Sequence, residues 1–147
     1  MPPAITHNSR MTKSAGLGSN ASDFGLLVLR LFCGINLFAR HGVEKITHFS
    51  QMSSHFPNPL HIGSHASLIY ALISDGICSL LVAVGLGTRL AAFIVFINIG
   101  VVFYFVDHHT LFGGQRELLL LYIGGFLALV CTGGGRFSLD MKFWGRS

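Results

Sequence analysis

Residues 90–106 read LAAFIVFINIGVVFYFV, an unbroken run without a charged side chain. The run is close to the ~20 residues that an α-helix needs to cross a ~30 Å hydrocarbon core. Backbone N–H and C=O groups in lipid must pair within their own segment, so such a run is predicted to be helical. A helix of a soluble bundle would carry a polar face, and this run has none. It therefore predicts a transmembrane helix.

Three further apolar runs extend this pattern over most of the chain. Of the 147 residues, 51% are hydrophobic and 11% are charged, against about 25% charged in an ordinary soluble domain. So few polar groups cannot cover a small soluble protein, and a typical soluble enzyme is excluded. The sequence predicts an all-α fold, an integral membrane four-helix bundle forming one domain, residues 23–142. Its helices are expected at about 24–42, 66–86, 90–106 and 117–133, between a mobile polar N-terminal tail, 1–22, and a short C-terminal tail, 143–147.

The Lys and Arg residues outside the apolar runs predict the orientation of the bundle. Cytoplasmic loops carry an excess of these residues, and an even number of crossings puts both termini on one side. The side of the termini holds Arg10, Lys13, Arg89, Arg136, Lys142 and Arg146, and the other side holds Lys45 and Arg116, with Arg40 near the boundary. Both termini are therefore expected in the cytoplasm.

The remaining composition excludes two other classes of site. The ten Lys and Arg residues form no cluster, so the net charge of +4 does not predict nucleic-acid binding. Membrane lipids are the expected surroundings. Cys33, Cys78 and Cys131 lie in apolar stretches without Cys-x-x-Cys spacing. We interpret them as small apolar residues rather than as a disulfide or metal framework.

Three charged residues fall within the predicted helices: Arg30, Asp75 and Glu117. Such residues are costly in a membrane and are by default functional or paired. At 1.5 Å per residue, Arg30 lies roughly 10 Å from the inner end of its helix and Asp75 roughly 15 Å from the outer end of the next. In a ~30 Å layer these depths are similar, which predicts an Arg30–Asp75 ion pair. The pair could be a structural clamp or a polar site for a substrate, a proton or a quinone head group.

Other polar residues cluster toward the predicted outer half of the bundle. Arg30, His41 and Lys45 share one face of the first predicted helix. Arg40 lies beside them, and Glu117 enters from the same end of the fourth helix. The bundle interior is therefore expected to be polar in its outer half.

Two uncharged polar residues lie deeper in the predicted helices. Asn98 is a lone amide in the run 90–106, and we expect it to make an interhelical hydrogen bond. Tyr122 lies five residues inside Glu117, so its hydroxyl is expected at interior depth.

Seven of the eight histidines fall on the predicted outer side. They could bind a metal or haem, shuttle protons, or be ordinary loop residues. Their spacing matches no tight ligand motif, so haem or a metal is not expected. If a metal were bound, His41, His108 and His109 are the candidates, because they flank helix ends near other charges.

Several segments carry a family resemblance. They are residues 29–38 (LRLFCGINLF) followed by 41–45 (HGVEK), the turn 85–92 (GLGTRLAA), Glu117-Leu118 with Tyr122, and 133–140 (GGGRFSLD). Together they span about residues 24–142 and resemble the DoxX family of four-helix membrane proteins. One departure is Asp75, where many relatives carry Glu. The resemblance implies a multi-pass protein of the bacterial inner membrane.

The same resemblance implies a leading function. DoxX-like proteins resemble small subunits of membrane oxidoreductases, including thiosulfate:quinone oxidoreductase and a complex linked to thiol and oxidative-stress defence. The leading hypothesis is thus a quinone-linked subunit whose electrons come from other oxidoreductase subunits, since no redox cofactor motif lies in this chain. His41 and Glu117 would then transfer protons, and Arg30, Arg40, Lys45, Asp75 and Tyr122 would bind substrate, the cations attracting an anion such as thiosulfate.

Two alternatives remain open. The chain could be a structural or assembly subunit without chemistry of its own, in which case its charged pairs set the helix packing. It could also be a small anion or proton transporter, although a continuous polar path is missing from the predicted inner half. Self-association is compatible with the Phe-rich lipid-facing surfaces. Each hypothesis predicts a different use of the same buried charges.

Overall fold

The computed structural model describes residues 8–58, 61–106 and 114–145, and this part of the chain is helical without a strand. Helix α1 runs over Asn8–Leu37, passes through a π-helical turn, Phe38–Gly42, and continues over Val43–Thr47; the short α2 is Phe49–Met52. Helix α3 comprises Ser64–Leu72, a second π-helical turn, Ile73–Cys78, and Ser79–Val84. Helix α4 is Thr88–Val101 with a π-helical end, Val102–Val106, α5 is Gly114–Thr132, and α6 is Leu139–Trp144.

Three of these helices are long and apolar enough to cross a membrane: Asn20–Thr47, Ser64–Val84 and Thr88–Phe105. They coincide with the first three predicted spans, and α5 supplies a helix where the fourth was predicted. The all-helical membrane fold is therefore confirmed. Helix α1 begins at Asn8, so much of the predicted tail 1–22 is helical, and its mobility stays a prediction.

The four long helices pack around an apolar core and present apolar side chains outward as well. The core contains Cys33, Leu37, Val82, Val95, Ile99, Phe126 and Leu129, while Phe32, Ile77, Leu90, Phe93 and Leu121 are among the large exposed ones. Cys33 and Cys78 are buried free thiols, and Cys131 is an exposed one. An apolar exterior is what lipid surroundings require of a spanning helix.

Two glycines allow α1 and α3 to pack closely. A Cβ on Gly34 would lie 2.5 Å from the carbonyl oxygen of Ser79, and one on Gly42 would lie 2.9 Å from that of Asp75. Small residues of this kind let transmembrane helices approach, since lipid supplies no hydrophobic drive between them. The Gly42 contact brings the two π-helical turns together and so positions the site described below.

The chain's last helix closes one end of the bundle, called here the terminal end. Gly85 ends α3 in the left-handed region at φ 80°, and the Asp140 carboxylate accepts hydrogen bonds from the backbone N–H groups of Gly87 (2.6 Å) and Thr88 (2.8 Å). These two groups begin α4 and have no acceptor within their own helix. Asp140 thus caps α4 from a distant part of the sequence. The opposite end, with residues 48–64, is called the loop end.

Replacing Asp140 with alanine should lower the free energy of unfolding by about 0.5–2 kcal/mol, the usual cost of losing a cap. Two N–H groups at the start of α4 then lose their acceptor. The measurement is reversible unfolding of the purified protein in detergent, followed by circular dichroism. Asp140→Asn keeps an acceptor oxygen and is the matched control. Equal losses in the two variants would contradict the capping role.

Candidate polar site in the bundle

The three π-helical turns in the described part of the chain lie on three different helices. Those of α1 and α4 are near the loop end, and that of α3 is in the middle of its helix. A π-helical turn interrupts the regular hydrogen-bond ladder and is frequent at functional sites. Asp75 lies within the turn of α3, and Lys45 follows the turn of α1 by three residues. In α3, the Ser79 hydroxyl donates to the carbonyl oxygens of Asp75 and Gly76 within the irregular turn.

Asp75 is the centre of a buried polar network that joins three helices. One carboxylate oxygen, Oδ2, accepts from Lys45 Nζ at 2.7 Å, and the other, Oδ1, accepts from Asn98 Nδ2 at 2.9 Å. Lys45 Nζ also donates to the carbonyl oxygen of His41 at 3.4 Å. All three side chains of the network are buried. The interhelical hydrogen bond expected for Asn98 is confirmed, and a network this satisfied can hold two charges in an apolar bundle.

The predicted Arg30–Asp75 ion pair is wrong, because Lys45 takes the position assigned to Arg30. Each Cα–Cβ bond in a helix tilts toward the helix N-terminus. Helices α1 and α3 are antiparallel, so the Lys45 side chain reaches into the bundle while Asp75 reaches back toward the loop end, and the two meet. The same tilt directs Arg30 away from Asp75.

Arg30 lies instead under the terminal end of the bundle, with a side chain that is 0% exposed. Its Nη2 donates to the carbonyl oxygen of Phe137 at 3.2 Å, and its Nη1 packs so closely on Gly85 that a Cβ there would lie 1.8 Å away. Asp140 lies near enough for its charge to act on the guanidinium. Arg30 therefore connects α1 to the α3–α4 turn and the last segment.

A cavity of about 190 Å³ adjoins the Asp75 network. Its polar lining includes His41, Lys45, Ser67, Tyr70, Asp75, Asn98 and Tyr122, and the rest of its wall is mainly apolar. An apolar pocket with a few convergent polar groups is the usual form of a small-molecule site. The site can hold a small ligand whose polar atoms face the Lys45–Asp75–Asn98 network.

The connection between α2 and α3 covers the loop end of this cavity. Met52, Phe56, Pro57 and Ile62 line it. The connection is attached to α3 by Asn58, whose Oδ1 accepts from the Gly63 N–H at 3.1 Å and from the Ser67 hydroxyl at 3.2 Å. The described part of this cover therefore presents largely apolar side chains to the cavity.

The structure brings together only some of the predicted site residues. His41, Lys45, Asp75 and Tyr122 line one cavity, whereas Arg30 is at the terminal end. Arg40 and Glu117 are exposed and line no part of that cavity. The three predicted cations therefore do not form one anion-binding cluster.

Of the histidines proposed as metal ligands, His108 and His109 lie outside the described residues. Within the described ranges, no group of three or more His, Cys, Asp or Glu side chains is placed to hold a metal ion. His41 is half-buried at the cavity, and His48, His55, His61 and His65 are exposed around the loop end.

Sequence reasoning missed Ser67 and Tyr70 as lining residues. A usable signal existed, because Ser67 and Ala71 precede Asp75 by eight and four residues and so share its helix face. Both line the cavity with Asp75.

Comparisons with known proteins agree with this architecture. The DoxX family model matches residues 25–108, more than half of the chain. A protein of Haemophilus influenzae strain Rd, described as an uncharacterized protein, is 30% identical over 135 residues, which cover 87% of each chain. No solved structure was found that matches. With its spanning helices and this match, the chain belongs to the DoxX family of membrane proteins.

Proposed function

We propose that this DoxX-family protein is a small subunit of a quinone-linked membrane oxidoreductase, and that its cavity holds the quinone head group. The observation that carries the proposal is the Lys45–Asp75–Asn98 network in the wall of a covered cavity within the membrane-spanning part of the bundle. A quinone ring is apolar on its faces and presents oxygen atoms at its edge. It therefore matches a mainly apolar wall that has hydrogen-bonding groups on one side.

The residues of the network have distinct capabilities toward such a ligand. Lys45 and Asn98 can donate hydrogen bonds to quinone oxygens, and Asp75 can accept one from a hydroquinone hydroxyl. Reduction of a quinone takes up two electrons and two protons, and the electrons would come from a partner subunit that carries a redox centre. Half-buried His41 lines the same cavity as the network and is the proposed proton carrier.

The location of the protein is part of the same proposal. We infer the bacterial inner membrane with both termini in the cytoplasm, supported by the Lys and Arg distribution and by the family. The loop end and the covered cavity would then lie in the outer half of the membrane. Proton exchange through His41 would occur with the outer compartment.

The proposal is tested by quinone binding to the purified protein in lipid nanodiscs. A water-soluble, short-tailed quinone is titrated against wild type, Asp75→Asn and Asn98→Leu, with binding followed by quinone absorbance after rapid separation. Both variants should bind at least about tenfold more weakly, because a lost hydrogen bond to a charged or buried group is worth about 1.5–3 kcal/mol. Binding in both variants that equals wild-type binding would sink the proposal.

Asn20→Leu is the matched control for Asn98→Leu. Asn20 is an exposed amide on α1 whose Oδ1 accepts from Arg136 Nη1 at 3.4 Å, and it lines neither this cavity nor any other described here. Its replacement should leave quinone affinity unchanged. Arg30 lies at the terminal end, so Arg30→Ala should lower the folding stability and leave the quinone affinity of the folded protein unchanged.

A structural or assembly role is the second candidate, and the placement of Arg30 favours it. This buried cation joins three segments at the terminal end without reaching the cavity. A purely structural subunit predicts that Asp75→Asn leaves turnover unchanged in an assembled complex. The quinone proposal predicts that turnover falls while assembly is retained.

A further inference from the structure

A second, larger cavity of about 600 Å³ forms a groove between α1 and α5 on the lipid-facing surface. Its lining includes Leu29, Phe32, Leu121, Gly124, Gly125 and Ala128. Phe32 and Leu121 are exposed on its edges at 58% and 62%. Asn36 and Arg40 also line the groove, on the side nearer the loop end. The rest of its wall is mainly apolar and faces outward, within the span of the bundle.

Tyr122 belongs to both cavities, and it stands between the polar site and this groove. Its side chain is 3% exposed, and it makes no hydrogen bond to any residue that the structure describes. A buried tyrosine hydroxyl normally has a partner. Tyr122 lies on the wall of both cavities, so it can contact a ligand that extends from one cavity into the other.

The seam between α1 and α5 has an asymmetric shape around Tyr122. At Gly125, a Cβ would meet the Cys33 sulfur at 2.8 Å, so the two helices are in close contact there. At Gly124, a Cβ would meet nothing within 4 Å, and this position leaves the groove open. The groove therefore has open space at Gly124, beside a close contact of the two helices at Gly125.

The two cavities differ in what they can contain. The polar cavity, at about 190 Å³, is smaller than the roughly 300–1,000 Å³ of pockets that enclose a drug-sized ligand. It can hold a ring-sized head group but no long chain. The polar cavity is covered at the loop end of the bundle, whereas the groove opens on the side that faces lipid. An apolar chain is favourably placed in the hydrocarbon there.

We propose that the groove takes the polyisoprenoid tail of a membrane quinone whose head group occupies the polar cavity, with Tyr122 at the passage between them. The inference rests on the proposed function and specifies its ligand as a long-tailed, lipid-soluble quinone that enters laterally from the membrane. Tyr122 is a positioning residue for the junction of ring and tail.

The test compares short-tailed and long-tailed quinones on wild type and Gly124→Leu in nanodiscs. The leucine fills the groove without a backbone clash and should block the exit of the tail. Gly124→Leu should weaken binding of the long-tailed quinone by about tenfold or more, the scale of a steric overpacking penalty, and should leave the short-tailed quinone unaffected. Wild type should bind both.

Gly100→Leu is the matched control, since Gly100 also has open space around it and lines neither cavity. It should leave both affinities at the wild-type value. Gly124→Leu affinities that are unchanged, or weakened equally for both quinones, would overturn the tail groove. A phospholipid that wild type retains and Gly124→Leu releases, without any dependence on tail length, would assign the groove to lipid instead. Failure of wild type to bind the short-tailed quinone would overturn the proposed function itself.

Discussion

Replacing Lys45 with methionine should lower the free energy of unfolding by about 3–5 kcal/mol, the usual cost of leaving one charge of a buried pair without its partner. Asp75 would keep only the hydrogen bond from Asn98. The two charged side chains are 10% and 7% exposed, so water can compensate little of the loss. The measurement is reversible unfolding in detergent, followed by circular dichroism.

A second substitution distinguishes the charge from the packing. Lys45→Met combined with Asp75→Leu removes both charges and should recover most of the lost stability, because buried pairs replaced by apolar residues are often neutral or better. Lys142→Met, the same change at an exposed lysine, should stay within about 0.5 kcal/mol of wild type. A double variant as unstable as the single one would show that the charge pairing is not the cause.

Gly85→Ala should lower the free energy of unfolding by about 2–5 kcal/mol, the sum of two penalties. The position lies in the left-handed region at φ 80°, which costs an L-residue about 1–2 kcal/mol. The added Cβ would also lie 1.8 Å from Arg30 Nη1 and 2.9 Å from Ser138 Cα. Overpacking of this kind adds about 1–3 kcal/mol.

Gly87→Ala is the matched control in the same turn. Gly87 also has a positive φ, 58°, but a Cβ there would meet nothing within 4 Å. Only the conformational penalty, about 1–2 kcal/mol, is expected. Thermal unfolding of the two variants in one detergent compares them directly. Equal destabilisation would mean that the Arg30 contact contributes nothing to the closure of the terminal end.

The helices were predictable because each apolar run is a local property of the sequence. The run 90–106 has no polar face, and the structure has a helix there, Thr88–Phe105, that is long and apolar enough to cross a membrane. His41, Lys45, Asp75 and Tyr122 were also predicted as site residues, since polar residues in an apolar run stand out. Their arrangement around one cavity could not be predicted, because the π-helical turns that position them have no recognisable sequence pattern.

The partner of Asp75 shows where the sequence was insufficient. Counting residues from the end of a helix gives the depth of the backbone in the membrane. By that count the backbones of Arg30 and Asp75 lie at similar depths. Long side chains act some distance from their backbone, and in a helix they lean toward its N-terminus. This lean brings Lys45 to Asp75 and takes Arg30 to the terminal end.

The sequence by itself therefore determined the membrane fold, the helical spans and the family, because hydropathy and local motifs act within a segment. Only the tertiary structure decided which charges pair, that the cations are separated, and that Tyr122 joins a polar cavity to a lipid-facing groove. Such contacts depend on the relative rotation of the helices and on the close approach at Gly34 and Gly42. These are properties of packed pairs of helices, and no single run of residues contains them.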